Sequence, residues 1–182
     1  MVTRTRLQTP IFLIGFMASG KSTVGKLLAW QQYLSYVDLD DYIEKKAMQS
    51  IPTIFKSSGE AIFRTLEKEA LYEVGKQKIQ LISTGGGTPC FFDNMAWMCA
   101  NGTTIFLQNQ PKTIVQRLYA SNGTHQRPLL KTYKTKASLL TYISNKLHQR
   151  NSFYHQAHHT IDCDNKSIDD IIQTIIQLGD VW

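Results

Sequence analysis

Apolar positions along the chain follow two different periods. Short runs at Ile11–Ile14, Tyr36–Leu39, Ile79–Ser83, Thr104–Leu107 and Thr160–Asp162 read as strands. The unbroken run Ile11-Phe12-Leu13-Ile14 is what a strand covered on both faces requires. Between the runs, Lys21–Trp30, Glu60–Lys76, Pro111–Tyr119, Leu139–Gln156 and Ile168–Leu178 read as helices. Strands alternating with helices predict an α/β fold, a five-stranded parallel sheet with helices on both faces. Two stretches interrupt the alternation. Residues 41–59 carry Ile51-Pro52 and Ser57-Ser58-Gly59, and residues 120–137 are polar with Asn122-Gly123 and Arg127-Pro128. Long polar segments of this kind in a compact domain read as loops that face ligands.

The strongest chemical signal follows the first strand. Gly15-Phe16-Met17-Ala18-Ser19-Gly20-Lys21-Ser22 satisfies G-x-x-x-x-G-K-[ST] at each required position, with a buried strand before it and a helix after it. Backbone N–H groups of such a loop wrap phosphates, and the following helix N-terminus adds partial positive charge. Lys21 would reach the outer phosphates and Ser22 would hold Mg²⁺. Asp38 and Asp40 close the second strand and, by strand alternation, share one side of it. Ligands in open parallel sheets sit beyond the carboxyl ends of the strands, so both acids would face the loop. Asp38 can alternatively cap the next helix.

Four weaker signals accompany these. Arg64 and Glu67 lie three apart on one helix face and can pair; taken alone, this spacing is that of a surface ion pair of ~0.3–0.5 kcal/mol. Gly85-Gly86-Gly87 ends the third strand and allows backbone to approach a ligand where a side chain would clash. Arg127, in Gln126-Arg127-Pro128-Leu129-Leu130, could close from the second polar segment onto a transferring phosphoryl group, and Arg150 sits on the long fourth helix.

Composition narrows the classes. The chain has 182 residues, 42% of them hydrophobic, which fits one domain with a real core and excludes wholesale disorder. No apolar run reaches the ~20 residues of a membrane span, and the basic lead-in Met1–Thr9 precedes too short an apolar run for a signal peptide. Cys90, Cys99 and Cys163 have neither disulfide-framework nor zinc spacing and read as reduced cytosolic thiols. Lys and Arg number 20 against 14 acids, a net charge of +6 that favours anionic partners. The basic residues are spread without an aromatic-interleaved patch, which argues against nucleic acid. His155, His158 and His159 lack further ligands at metal spacing and read as a solvated helix end. Ile54, Phe55, Ile62 and Phe63 read as core packing near the substrate region.

Taken together, Gly15–Ser22, Asp38-x-Asp40 with Ile43-Glu44, Phe63-Arg64-x-x-Glu67, Gly85-Gly86-Gly87, Arg127-Pro128-Leu129-Leu130 and Arg150 resemble the shikimate kinase family, from Ile11 to about Asp164. The resemblance implies a P-loop kinase fold similar to nucleoside monophosphate kinases, in a single domain over 1–182, with a lid at about 120–137 and a substrate-binding region at about 40–70. It implies MgATP-dependent phosphorylation of the 3-hydroxyl of shikimate, on the route to chorismate. Carried over by residue, Gly15–Thr23 bind the ATP phosphates, with Ala18, Ser19, Gly20, Lys21, Ser22 and Thr23 among them. Ser22 ligates Mg²⁺ and Asp38 supports it through water. Asp40 binds the shikimate hydroxyls and acts as base. Arg64 and Arg150 bind the carboxylate, with Gly86 approaching the ring. Arg127 closes onto ATP, assisted by Arg117. ATP and shikimate are the partners of a cytoplasmic monomer.

Three features depart from the family pattern. Ala18 stands where members often have glycine, the lid is a few residues longer, and Asp164-Asn165-Lys166-Ser167 replaces an adenine-holding arginine and proline. The rival readings are a gluconate-type kinase of the same fold and a non-catalytic nucleotide-binding regulator.

Overall fold

A computed structural model describes residues 10–77, 80–120, 133 and 135–178. The expected lead-in (residues 1–9), Arg127 and most of the 120–137 segment lie outside these described residues. Five strands form one parallel sheet: β1 (Ile11–Ile14), β2 (Ser35–Asp38), β3 (Gln80–Ser83), β4 (Thr103–Gln108) and β5 (His159–Asp162), in the spatial order β2-β3-β1-β4-β5. Pairing places Leu13 beside Ser83 and Ile105, so β1 is central and the segments after β1 and β3 emerge side by side.

Alternation along β1 divides the core. Ile11 and Leu13 join Leu81, Ile105 and Ile161 beneath helices α1 (Lys21–Gln31) and α7 (Ile168–Gln177). Phe12 and Ile14 join Ile82 and Phe106 on the opposite face. There they meet α2 (Leu39–Ala47), α3 (Ile51–Gly75), α4 (Asn94–Asn101), α5 (Pro111–Ala120) and α6 (Lys136–Tyr154). Both faces of the sheet are thus covered, which is why β1 carries no polar residue.

The segment 41–59 is a correction to the sequence reading. It is mostly helical: α2 covers residues 39–47, and α3 begins at Ile51. Ile51-Pro52 does not break the chain, because Pro52 occupies the first turn of α3, where its missing N–H costs nothing, and Ser50 caps that turn through Thr53 N. The break falls at Gly59 alone (φ 81°, ψ 172°), a left-handed kink inside α3. The second strand also ends one residue earlier than predicted. Asp38 turns the chain, its side chain accepting from Asp40 N at 3.2 Å as the N-cap of α2. Asp40 therefore belongs to a helix and not to the strand. α4 and a 3₁₀ turn at Thr88–Cys90 have no counterpart in the sequence reading. The other helices agree with it to within a few residues at their ends.

Of the four apolar residues near the substrate region, Ile54 and Phe63 are buried and Phe55 packs on Phe63 at 4.6 Å, whereas Ile62 is exposed. His158 is tied to β4, its Nδ1 accepting from Thr104 N at 3.1 Å. His155 lies edge-on to Phe106.

Candidate active site

The loop after β1 is set by three left-handed residues, Gly15 (φ 145°), Ala18 (φ 58°) and Gly20 (φ 102°). Gly20 opens α1, which leaves Ser22 and Thr23 exposed in the first turn. Ala18 takes the conformation a glycine would, so the loop keeps its shape at some backbone strain. Lys21 is buried along the loop, and its Nζ donates to Gly15 O and Phe16 O, both at 2.9 Å. Ser19 is buried beneath it. From α5, Arg117 reaches across the loop: Nη1 donates to Ala18 O (3.3 Å) and Ser19 O (3.1 Å), and Nη2 to Cys163 O (3.4 Å).

Ser22 and Asp38 are brought together from α1 and β2. Ser22 Oγ donates to Asp38 Oδ2 at 2.7 Å, and the Tyr36 hydroxyl donates to the same oxygen at 3.2 Å. Burial pushes the Tyr36 phenol up to about 12, so it remains a donor at any physiological pH. Asp38 thus serves as helix cap and as partner of Ser22 at once, through its two different oxygens. An all-oxygen pair of hydroxyl and carboxylate beside a phosphate-binding loop suits a hard cation such as Mg²⁺, which keeps several waters and needs no larger protein cage. Among the described residues no group of three or more His, Cys, Asp or Glu side chains is placed to hold a metal.

The glycine triplet is the hub of the other half of the site. None of its three residues has a positive φ, so the triplet is not required for backbone freedom. It is required for space, and each glycine faces a different group. A Cβ on Gly85 would lie 2.7 Å from Glu67 Oε1 and 3.0 Å from Asp40 Oδ1. On Gly86 it would lie 3.2 Å from Met17 N and 3.5 Å from Arg150 Nη1. On Gly87 it would lie 2.9 Å from Arg64 Nη1. Asp40, Arg64, Arg150 and the phosphate-binding loop therefore converge on one three-residue stretch, although they come from four different parts of the chain.

Both arginines are held in place. Arg150 Nη1 donates to Gly86 O at 2.9 Å, its guanidinium lies over the Phe16 ring at 5.2 Å, and the buried Tyr154 hydroxyl donates to the same carbonyl at 2.6 Å. Arg64 is only 12% exposed, and its partner Glu67 only 1%. Arg64 Nη1 donates to Glu67 Oε2 at 3.0 Å, while Thr88 Oγ1 donates to Glu67 Oε1 at 2.6 Å. This corrects the surface-pair reading: a buried carboxylate with both oxygens engaged cannot lose its partner cheaply, a loss of ~3–5 kcal/mol in such pairs. The Phe91 ring stacks on the same guanidinium at 4.0 Å. Burial raises the Cys90 thiol to about 11, against the lowering influence of Arg150 and Arg64.

Sequence reasoning missed Tyr154, Phe91 and Thr88 as parts of this assembly, and the stacking of Phe16 on Arg150. Only the Arg150/Tyr154 spacing of four, one helix face, offered a local signal. A cleft of about 370 Å³ at the carboxyl ends of β4 and β5, lined by Gln108, Pro111, His148, Asn151, Asp162 and Asp164, includes neither the glycine triplet nor either arginine. Asp164 is engaged there as an acceptor for Gln110 N.

Comparison with known proteins identifies the family. The profile of a family described as shikimate kinase matches residues 17–179. A shikimate kinase from Bacteroides fragilis is 43% identical over 92% of this chain and 92% of its own. The crystal structure of shikimate kinase from Bacteroides thetaiotaomicron superposes with a TM-score of 0.88 at 36% identity, over 96% of this chain and 99% of that one. That of the Acinetobacter baumannii enzyme, in complex with shikimate, gives 0.83 at 32% identity, over 95% and 93%. A gluconokinase from Sinorhizobium meliloti shares the fold alone, with 14% identity and a TM-score of 0.64 over 97% and 96%. With the profile spanning residues 17–179, four of the five strands and all of the described helices, and relatives matched over more than nine-tenths of both chains, the chain belongs to the shikimate kinase family.

Proposed function

We propose that the chain transfers the γ-phosphoryl group of ATP to the 3-hydroxyl of shikimate, giving shikimate 3-phosphate and ADP. The observation that carries the reading is the convergence on Gly85–Gly87 of two arginines, an aspartate and a phosphate-binding loop. A substrate that presents a carboxylate to Arg64 and Arg150 would present a hydroxyl near Asp40, with the loop alongside. Guanidinium matches a carboxylate with two parallel hydrogen bonds, which gives orientation as well as affinity.

In the reaction the substrate oxygen forms a bond to the γ-phosphorus, and the bond from phosphorus to the β–γ bridging oxygen breaks. The transition state is loose, with charge on the equatorial oxygens, so positioning and cations supply most of the rate. Lys21 would exchange its loop carbonyls for phosphate oxygens. Ser22, with Asp38 through water, would hold Mg²⁺, which neutralises charge developing on the phosphates. Asp40 would orient the hydroxyl and accept its proton late. Tyr36 holds Asp38 from below, and Arg117 braces the loop. Arg127, as the sequence places it, would close on the phosphates from a lid at 120–137, while 40–70 would form the substrate-binding region of a single domain. Arg64 and Arg150, in place together, favour this reading over a gluconate-type kinase or a non-catalytic regulator.

The same reading makes the protein a monomer in the cytoplasm, in keeping with three free thiols. Among the described residues no helix is long and apolar enough to cross a membrane. The test is a coupled ADP-release assay with shikimate, quinate, gluconate and nucleoside monophosphates, with and without Mg²⁺. Turnover with shikimate far above the others is the expected result; a preference for gluconate or a nucleotide would overturn it.

A further inference from the structure

The two carboxylates that hold Arg64 differ in kind. Glu67 is sealed in, with both oxygens engaged, by Arg64 and by Thr88. Glu60 is 58% exposed, and a single oxygen of it takes the Nε and Nη2 edge of the guanidinium, at 3.2 and 2.8 Å. That edge is one of those through which arginine grips a carboxylate with two parallel bonds. Glu60 stands immediately after Gly59, the left-handed kink of α3, and a Cβ on Gly59 would meet nothing within 4 Å. At 58% exposure the Glu60 carboxylate can swing into solvent, whereas Glu67 and the Phe91 ring keep the guanidinium where it is.

We propose that Glu60 is a displaceable internal carboxylate that competes with the substrate carboxylate for Arg64, and so sets the affinity threshold for entry to the site. This rests on the reading above that Arg64 takes the shikimate carboxylate. The competition is weak by construction. Exposed ion pairs correspond to an effect of up to about fivefold in an equilibrium constant.

The experiment is calorimetric titration of shikimate into wild type, Glu60→Gln, Arg64→Lys and the double variant, each checked for folding by thermal melt. Glu60→Gln should tighten shikimate binding about two- to fivefold and leave the KM for ATP unchanged. Arg64→Lys should weaken it ~10–100-fold. In the Arg64→Lys background the gain from Glu60→Gln should vanish, because both changes act on one contact. Tightening that persists in that background reports a general charge effect and overturns the proposal. Unchanged or weaker binding by Glu60→Gln, with Arg64→Lys strongly impaired, also overturns it and leaves the carboxylate assignment standing. If Arg64→Lys binds shikimate normally, that assignment fails, and the competition proposed here fails with it. Glu60→Ala repeats the measurement should the glutamine variant not fold.

Discussion

Gly87→Ala separates substrate binding from everything else the glycine triplet does. Gly87 sits at φ −95°, ψ −21°, a conformation alanine adopts freely, so the backbone resists nothing. Replacing glycine at such a position stabilises by ~0.4–1 kcal/mol through the unfolded chain. The added methyl would meet Arg64 Nη1 at 2.9 Å, Nη2 at 3.1 Å and Cζ at 3.2 Å. Comfortable contact begins near ~3.5 Å, so the guanidinium must retreat by roughly half an ångström. It must do so against Glu67, Glu60 and the Phe91 ring, which hold it. Hydrogen bonds to charged groups contribute ~1.5–3 kcal/mol and weaken steeply off geometry, so losing about half of one such bond raises the shikimate KM roughly three- to tenfold. Steady-state kinetics with each substrate varied, alongside a thermal melt, measure this. The expected pattern is a raised KM for shikimate, a KM for ATP within about twofold of wild type, and an unchanged or slightly higher Tm. Gly86→Ala is the contrast, since its methyl would press on Met17 N and Gly15 O at 3.2 and 3.4 Å and should disturb both KM values. An unchanged shikimate KM in Gly87→Ala, or both KM values rising with a lower Tm, would refute the division of labour among the three glycines.

Three further outcomes are expected. Asp40→Asn should lower kcat by ~10²–10⁴-fold with a smaller change in shikimate KM; an effect on KM alone would make Asp40 a binding residue only. Ala18→Gly should relieve the left-handed strain at φ 58°, partly offset by glycine's greater unfolded entropy, and raise Tm by about 1–4 °C; a lower Tm would show that Ala18 is not strained. Burial pushes Cys90 up to about 11 and Cys163 and Tyr36 up to about 12 in the folded chain, whereas the unfolded chain releases these protons at ~8.5–10. Folded pKa values above unfolded ones give stability that is full below about pH 8.5 and is lost as pH rises toward 12, so the urea midpoint should fall between pH 9 and 11 and fall less in Tyr36→Phe. A flat midpoint over that range would contradict the burial of these groups.

The strands of the sheet and the phosphate-binding loop were legible from local sequence. A run such as Ile11–Ile14 has only one comfortable environment, and G-x-x-x-x-G-K-[ST] after a strand has only one common use, so local information suffices for both. For Asp40, Arg64 and Arg150 a role came only from the family resemblance that the motifs carry together, since each spacing alone is ambiguous. Tertiary structure decided what each of them touches. That Arg64 and Glu67 form a buried pair, that Asp38 engages Ser22 as well as capping its helix, and that Gly85, Gly86 and Gly87 each make room for a different group all depend on elements brought together from distant parts of the chain. The helical 41–59 segment was hidden for a related reason. Proline and serine read as breakers when counted by type, but in the first turn of a helix they favour it, and which turn they occupy is settled only when Ile54 and Phe63 find the core. Patterning fixes which face of an element is buried; the partners across that face are set by how the elements pack.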